Sequence, residues 1–208
     1  MGLRLTFIGP PGSGKGTQAK LLRQRGFLHV SSGDMLRAEI AAATERGRAI
    51  AATVASGGLV ADEVLFDVVG AFLARHPGEA IVLDGYPRTL AQARHLAHLH
   101  LDAAVFFQVS DAVLLRRLGD RVMGPDGTIY DLQLHPPPPG LAVTRRPDDD
   151  PAVQKKRLAT YRAQEAELLA FYHAAGLAHP IHAELPLEQV QAQVNALVDR
   201  LAAHAPKH

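Results

Sequence analysis

The sequence predicts an α/β fold in which a doubly wound parallel sheet of five strands carries a phosphate-binding loop. Three observations predict this fold. Short apolar runs alternate with longer helical segments, residues 80–83 and 104–107 are apolar without interruption, and the first run leads into a glycine-rich loop. The alternation is typical of βαβ units. Unbroken apolar strands suit a sheet covered on both faces, and a glycine-rich loop between a strand and a helix is typical of a phosphate site.

Each element is predicted from its own pattern. The apolar runs predict strands at 3–9, 28–30, 80–84, 103–109 and 178–182. The segments between them predict helices at 14–25, 33–44, 45–56, 62–75, 89–100, 111–119, 151–175 and 186–202. We expect Asp62 and Asp111 to be N-caps or first-turn acids, and Gly26 and Gly176 to end helices.

Two segments interrupt the alternation and are expected to form lobes on a core made of residues 1–30, 61–121 and 158–208. Residues 31–60 hold two helical segments with no strand between them, which predicts a small helical lobe. Residues 122–157 are rich in glycine, proline and aspartate and show little helical pattern before α-helical character returns near their end. A long irregular insertion in a compact protein is typical of a functional lid or a disordered segment, and the flanking arginines favour the lid.

The composition excludes several classes of function. The 208 residues include 47% hydrophobic residues and no cysteine, and the net charge is +1. We therefore expect one compact domain without a disulfide framework or a thiolate zinc site, and neither a nucleic-acid footprint nor a membrane span. A strand pattern begins almost at the first residue, so we expect no signal peptide and a cytoplasmic protein. The eleven histidines are scattered, and most are expected to be solvated or partly packed.

The glycine-rich loop is the most informative motif of the chain. Residues 9–17 read GPPGSGKGT and lie between the first predicted strand and the first predicted helix. Glycines let backbone N–H groups turn toward phosphate oxygens, the helix N-terminus adds partial positive charge, and Lys15 adds a full charge. The general motif has Ser or Thr directly after the lysine, whereas Gly16 intervenes here and the hydroxyl comes from Thr17.

Further polar residues are expected beside this loop. Asp84 ends the third predicted strand, where a carboxylate can hold Mg²⁺ directly or through water, and Arg88 follows with a planar guanidinium suited to phosphate. At the start of the helical lobe, Ser32 or Asp34 is either an N-cap or part of a site, and Arg37 is either a solvated cation or a second phosphate ligand. Arginines at the base and the end of the predicted lid could neutralise a transferring phosphoryl group: Arg117, Arg121, Arg146 and Arg157.

Three ordered motifs resemble those of adenylate kinases, within the nucleoside monophosphate kinases. They are GPPGSGKGTQ at 9–18, SSGDMLR at 31–37 and DGYPRT at 84–89, followed by Gln92. The resemblance extends over essentially the whole chain. It implies Mg²⁺-dependent transfer of a phosphoryl group from ATP to AMP, giving two ADP, by a monomer that balances adenine nucleotides and binds neither nucleic acid nor membrane.

The resemblance also implies roles for single residues. The ATP-binding residues would be Gly12, Ser13, Gly14, Lys15, Gly16, Thr17, Arg117 and Arg121. The AMP-binding residues would be Ser32, Arg37, Gly58, Leu59, Val60, Gly85, Arg88, Gln92, Arg146 and Arg157. The catalytic residues would be Lys15, Asp84, Arg88, Arg121, Arg146 and Arg157. Mg²⁺ would lie with the nucleotide near Thr17 and Asp84, and Asp148 and Asp149 would lie at the lid hinge.

The chain departs from the family pattern at several positions. Ser32 occurs where the family often has Thr, Tyr86 where it has Phe, and residues 183–186 lack the usual glycine near the ATP base. The predicted lid is intermediate in length, with one residue missing after Arg121.

Many members with a long lid hold a zinc ion through cysteines, which this chain lacks. His135 with Asp126 or Asp131 could be proposed as ligands in their place. We instead expect no zinc, and interpret His135 as part of a lid turn.

Three other interpretations stay open on the sequence. A UMP/CMP kinase would more often have Ala in place of Ser32 and Asn in place of Thr89, so both residues favour AMP. A GTP-dependent AMP kinase would differ mainly around the donor base, where the sequence is least informative. A nucleotide-binding regulator without activity would not need the second set of phosphate ligands that Arg37 and Arg88 would provide.

Overall fold

A computed structural model of the chain describes residues 2–98, 100–133, 135–145 and 150–204. Its strands are β1 (Arg4–Ile8), β2 (Leu28–Ser31), β3 (Ile81–Asp84), β4 (Ala103–Gln108), β5 (Arg121–Met123), β6 (Ile129–Asp131) and β7 (Ala178–His182). Its helices are α1 (Lys15–Leu22), α2 (Ser32–Ala41), α3 (Glu45–Ala55), α4 (Asp62–Arg75), α5 (Leu90–Ala97), α6 (Asp111–Gly119), α7 (Pro151–Ala174) and α8 (Leu187–His204). A turn of 3-10 helix at Arg23–Arg25 follows α1.

Five strands form one sheet in the order β2-β3-β1-β4-β7, and every neighbouring pair is parallel. These are the five strands that the apolar runs predict, so the predicted fold class is confirmed. Because parallel strands end at a common edge, the segments that follow β1, β2 and β3 lie side by side. The register pairs Asp84 with both Phe7 and Ser31, which brings the glycine-rich loop, the start of α2 and residues 84–89 to this edge.

Helices cover both faces of the sheet because successive strand residues point to opposite sides. Leu5 and Phe7 of β1 belong to a cluster with the inner face of α8, whereas Ile8 packs with Leu168 and Tyr172 of α7. A third cluster joins β2 and β3 to α2, α3 and α4. The three central strands, β1, β3 and β4, are thus buried on both faces, as the unbroken apolar runs of β3 and β4 predict. Within the described residues, no helix combines the length and apolar character that crossing a membrane requires.

Helix α2 begins at a cap that the sequence analysis did not name. The hydroxyl of Ser31 accepts a hydrogen bond from the backbone N–H of Asp34 at 3.2 Å. The interpretation of Ser32 or Asp34 as the N-cap was therefore wrong. Asp62 and Asp111, predicted as either N-caps or first-turn acids, are first-turn acids, because Ala61 and Ser110 occupy the cap positions.

The segment predicted as a lid contains a β-hairpin, so the expectation of irregular structure before α7 was wrong. β5 and β6 are antiparallel and pair Arg121 with Asp131. In their connection Gly127 has a φ of 78°, and its carbonyl accepts a hydrogen bond from Nζ of Lys20 on α1 at 2.8 Å. Asp131 and His135 exchange backbone hydrogen bonds of 3.1 and 3.0 Å. Strands of three residues are too short to show an alternating pattern, which is why the sequence did not predict them.

Candidate active site

The glycine-rich loop follows β1 and leads directly into α1. Gly12 and Gly14 have φ of 82° and 85°, a left-handed conformation that glycine adopts without the steric penalty of a side chain. Gly14 is the N-cap of α1 and gives the first turn no side-chain hydrogen bond, while Ser13 is buried within the loop. The N–H groups that begin an α-helix have no intrahelical partner, so this end of α1 is suited to binding phosphate.

Gly16 occupies the position where the general motif has a hydroxyl residue, and the packing gives a reason. A Cβ atom on Gly16 would lie 2.9 Å from Oδ2 of Asp84, whereas ordinary van der Waals contact begins at 3.4 Å. Glycine therefore lets the carboxylate of Asp84 approach α1 closely. The hydroxyl comes one residue later, from Thr17, which is exposed.

Lys15 begins α1, and its Nζ donates a hydrogen bond to the carbonyl of Pro10 at 3.2 Å. Burial is the main cause that lowers the pKa of Lys15 to about 8, and the negative charge of Asp84 opposes that shift. Three neighbouring cations lower the pKa further: Arg88, Arg157 and Arg121. The fold thus brings five predicted catalytic residues into one electrostatic site. Negative charge from nucleotide phosphates would favour the charged form of Lys15.

Asp84 is the last residue of β3, and a histidine that sequence reasoning missed lies beside it. Nε2 of His29 is 3.4 Å from Oδ2 of Asp84, and the two side chains are only 8% and 12% exposed. The ring can donate a hydrogen bond to this carboxylate, through the same oxygen that lies closest to Gly16. A single histidine inside a short apolar strand is too weak a pattern to predict such a contact.

Gly85 joins Ser32 to Arg88 at the end of β3. Its carbonyl accepts hydrogen bonds from Oγ of Ser32 at 2.8 Å and from Nε of Arg88 at 2.7 Å. A Cβ atom on Gly85 would lie 3.2 Å from Nη2 of Arg88, and the φ of 73° also favours glycine. Ser32 is buried, and its hydrogen bond to Gly85 directs the hydroxyl toward the segment that follows β3.

Gln92 is also buried, and both ends of its side-chain amide have partners. Nε2 donates a hydrogen bond to Oδ1 of Asp62 at 2.7 Å, and Oε1 accepts one from the backbone N–H of Arg88 at 2.7 Å. Oγ1 of Thr89 donates to the same carboxylate at 3.2 Å. Sequence reasoning predicted Gln92 as a site residue but missed Asp62, because their contact depends on α4 packing against α5.

Two adjoining pockets lie at the carboxyl edge of the sheet. The first is lined by the glycine-rich loop, including Lys15, and by α7. The second is lined mainly by the segment 31–60, including the predicted residues Arg37, Gly58, Leu59 and Val60. The residues that line both pockets are Gly57, Leu59, Arg88 and Arg157. Two pockets that share two arginines suit the transfer of a phosphoryl group from a ligand in one to a ligand in the other.

Arg157 lies near the start of α7 and contacts the end of the helical segment. A Cβ atom on Gly57 would lie 2.7 Å from Cγ of Arg157, so this glycine permits the close approach of α7. Thr160 and Tyr161, which sequence reasoning missed, line the first pocket together with Arg157. They follow it by three and four residues and so share its helix face, which is the signal that could have found them.

The other predicted arginines have different surroundings. Arg37 pairs with Asp34 on α2. Nη1 of Arg117 donates a hydrogen bond to the carbonyl of Ala183 at 2.9 Å, and burial is the main cause that lowers the pKa of Arg117. Arg121 begins β5. Three residues with predicted roles lie outside the described residues: Arg146, Asp148 and Asp149.

The surroundings of Asp84 fit a magnesium ion that is held mainly by nucleotide phosphates and water. Mg²⁺ in such sites takes one or two protein carboxylates and completes its octahedron with substrate oxygens and water. Asp84 is a single carboxylate beside the N-terminus of α1, where the phosphates would lie. Within the described residues, no three side chains of the types His, Cys, Asp and Glu are grouped to hold a metal ion.

Comparison with known proteins gives one consistent result. A family model described as adenylate kinase matches residues 7–177. The chain is 35% identical to an adenylate kinase of Rhizobium etli, over 96% of this chain and 100% of that protein. It is 34% identical to an adenylate kinase of Paracoccus denitrificans, over 98% and 100% of the two chains. It is 36% identical to an adenylate kinase of Salinibacter ruber, over 96% and 99%.

Proposed function

The chain belongs to the adenylate kinase family and is a phosphotransferase of the nucleoside monophosphate kinase class, and from this premise we propose how its residues transfer a phosphoryl group from ATP to AMP. The family uses ATP and generally depends on Mg²⁺. The observation that carries the proposal is the pair of adjoining pockets with Arg88 and Arg157 between them. Lys15 lines one pocket and Arg37 the other.

The first pocket binds the phosphates of ATP. The N–H groups at the start of α1 and of the loop from Gly12 to Thr17 donate hydrogen bonds to phosphate oxygens, and Lys15 adds a full positive charge. Arg117, which is held against the carbonyl of Ala183, lies beside the base of ATP.

The second pocket binds AMP. Arg37 and Arg88 hold its phosphate through planar, bidentate hydrogen bonds. The backbone of Gly58, Leu59 and Val60 lines the base. We assign Gln92 and Ser32 to the base as well: Gln92 is bonded to Arg88, which lines this pocket, and Ser32 to Gly85. In this proposal residues 31–60 form the AMP lobe and residues 122–157 the lid.

Transfer between the pockets requires positioning and charge neutralisation. The attacking atom is a phosphate oxygen of AMP, which is already anionic at neutral pH, so no general base is needed. Arg88, Arg121 and Arg157 surround the transferring group and stabilise the charge on its oxygens, and we assign Arg146 to the same task. A closed lid would exclude water, which would otherwise accept the phosphoryl group.

Asp84 and Thr17 are the residues that would hold Mg²⁺, largely through water. The ion, when bound, neutralises phosphate charge. His29 and Gly16 keep the carboxylate of Asp84 in place: one donates a hydrogen bond to it and the other leaves it room. We propose that the enzyme acts as a monomer.

A coupled assay on the purified protein tests the assignment, with ATP as donor and AMP, UMP, CMP and GMP as acceptors. AMP is expected to be the preferred acceptor, and preference for UMP would refute the AMP site. Repeating the assay with GTP as donor tests the base of the donor nucleotide.

Arg88→Ala tests the shared position between the pockets. Loss of the Arg88 guanidinium is expected to lower kcat/KM by on the order of 10²–10³-fold, because the transferring phosphoryl group then lacks one of the charges that stabilise it. Arg94, exposed on α5, provides the matched control, and Arg94→Ala is expected to keep full activity. Near-normal turnover in Arg88→Ala would count against this site.

A further inference from the structure

Asp62 connects the end of the proposed AMP lobe to the residues that would read the acceptor. It is the first residue of α4 and comes two positions after Val60, which lines the second pocket. Its carboxylate accepts hydrogen bonds from Nε2 of Gln92 at 2.7 Å and from Oγ1 of Thr89 at 3.2 Å. None of the motifs on which the sequence analysis relied includes Asp62.

The contacts of Gln92 fix which way its amide is turned. A carboxylate can only accept hydrogen bonds, and a backbone N–H can only donate one. Asp62 therefore requires Nε2 on its side, and the N–H of Arg88 requires Oε1 on the other, where the distance is 2.7 Å. Turning the amide over would place two acceptors together at one end and two donors together at the other. Because Gln92 is fully buried, water cannot relieve either mismatch.

A clamped amide still has one hydrogen-bonding position at each end. Nε2 keeps a second N–H, and Oε1 keeps a second lone pair. This donor and acceptor match the edge of a 6-aminopurine, in which N1 accepts and the amino group donates. They oppose the edge of a 6-oxopurine, in which N1–H donates and the oxygen accepts. Since Gln92 is fully buried in this structure, the base reaches this edge only after the residues that cover it move aside.

We propose that Asp62 is a positioning residue that selects a 6-aminopurine acceptor by fixing the amide of Gln92. The inference rests on the proposed function, in which AMP occupies the second pocket with its base near Gln92. Asp62 itself touches neither substrate. Its effect on the acceptor is carried by the orientation of one buried amide.

The test compares AMP with IMP, whose base has the reversed edge and the same ring size. In the variant Asp62→Asn the new side chain can both donate and accept a hydrogen bond, so it can pair with either end of the Gln92 amide. If that amide turns over, the only mismatch left is between its NH₂ group and the N–H of Arg88, instead of the two mismatches in the wild type. We expect the ratio of kcat/KM for AMP to that for IMP to fall by about tenfold or more. The KM for ATP is expected to stay unchanged.

Glu63 provides the matched control, because it is the next residue of α4, carries the same charge and is exposed. Glu63→Gln is expected to keep the wild-type ratio. Asp62→Glu keeps an acceptor-only group and is expected to retain most of the selectivity. If thermal melting shows that Asp62→Asn does not fold, Asp62→Ser takes its place with the same expected loss, because a hydroxyl can also both donate and accept.

Three outcomes would overturn the inference. The first is an unchanged AMP to IMP ratio in Asp62→Asn, whether both activities are kept or both fall equally, since an equal loss would indicate a purely structural role. The second is a loss of selectivity in Asp62→Glu as large as in Asp62→Asn. The third is a lower AMP to IMP ratio in Glu63→Gln as well, which would show that the effect is not specific to Asp62. If the wild-type protein fails to use AMP at all, the proposed function fails as well. The two failures are therefore distinguished by the wild-type activity with AMP.

Discussion

Gly16→Ala adds one methyl group where the structure leaves too little room for it. The new Cβ would lie 2.9 Å from Oδ2 of Asp84, roughly 0.5 Å closer than ordinary contact. Asp84 therefore has to shift by several tenths of an ångström, and the same oxygen is the one that lies 3.4 Å from Nε2 of His29, so the shift disturbs that contact as well. A displacement of about 1 Å near reacting groups costs about 100-fold in rate. We therefore expect kcat to fall by about 10-fold to 100-fold, with a higher Mg²⁺ concentration needed for half-maximal activity.

Gly70 provides the matched control within the same fold. It lies inside α4, and a Cβ atom there would meet nothing within 4 Å. Alanine in place of glycine raises the stability of a helix interior by about 0.5–1 kcal/mol. Gly70→Ala is thus expected to keep full activity and to melt at a higher temperature, whereas Gly16→Ala is expected to lose activity while remaining folded.

Steady-state turnover over a series of Mg²⁺ concentrations, combined with thermal melting, measures both effects. The double mutant Gly16→Ala with Asp84→Ala completes a thermodynamic cycle. If crowding of the carboxylate is the cause, Gly16→Ala has little further effect once Asp84 is alanine. Wild-type turnover in the single mutant, or the same fractional loss in both backgrounds, would refute this reasoning.

The hairpin of β5 and β6 and the lysine of the glycine-rich loop give two further predictions. Lys20→Met removes the 2.8 Å hydrogen bond to the carbonyl of Gly127 and is expected to speed amide hydrogen exchange in the hairpin turn about fivefold. Lys155→Met, at an exposed position of α7, is the control and is expected to leave the exchange rate unchanged. Unchanged exchange in Lys20→Met would contradict the contact. The pKa of about 8 for Lys15 predicts that ATP affinity, measured by calorimetry, weakens above about pH 8, where the folded protein loses that charge, and constant affinity up to pH 10 would contradict it. Because the unfolded lysine keeps its proton up to its ordinary pKa of 10.5, the contribution of Lys15 to stability rises between pH 8 and 10.5.

The sequence predicted best those features that depend on residues close together in the chain. The phosphate loop is one local motif, and its left-handed glycines, Gly12 and Gly14, follow from the turn that it makes. Strands β3 and β4 were the most predictable, because each is a short apolar run that a two-sided parallel sheet buries, whereas β7 contains two histidines and a proline and is partly exposed. The bounds of the five sheet strands differ from the predicted ones by at most one residue at either end, where hydrogen bonding rather than hydrophobicity decides the last residue.

The features that the sequence did not predict depend on contacts between distant residues. Asp62 and Gln92 are 30 residues apart, and His29 and Asp84 are 55 apart. Single polar residues of this kind carry no spacing that distinguishes a buried partner from a solvated side chain. Gln92 was predicted as a base contact, yet its burial and its clamp between two partners became visible only once α4 and α5 were placed together.

Like charges from separate parts of the fold converge around Lys15, and we propose that this arrangement links nucleotide binding to closure of the lid. Lys15 belongs to α1, Arg88 to the segment after β3, Arg121 to the lid hairpin and Arg157 to α7, and the three arginines all lower the pKa of the lysine. Bringing four cations beside one carboxylate, Asp84, costs free energy in a partly buried site. Nucleotide phosphates offset that cost, and they do so most when every arginine is close. The negative charge of the substrates therefore favours the arrangement in which the hairpin and α7 lie against the loop, and product release is expected to weaken it.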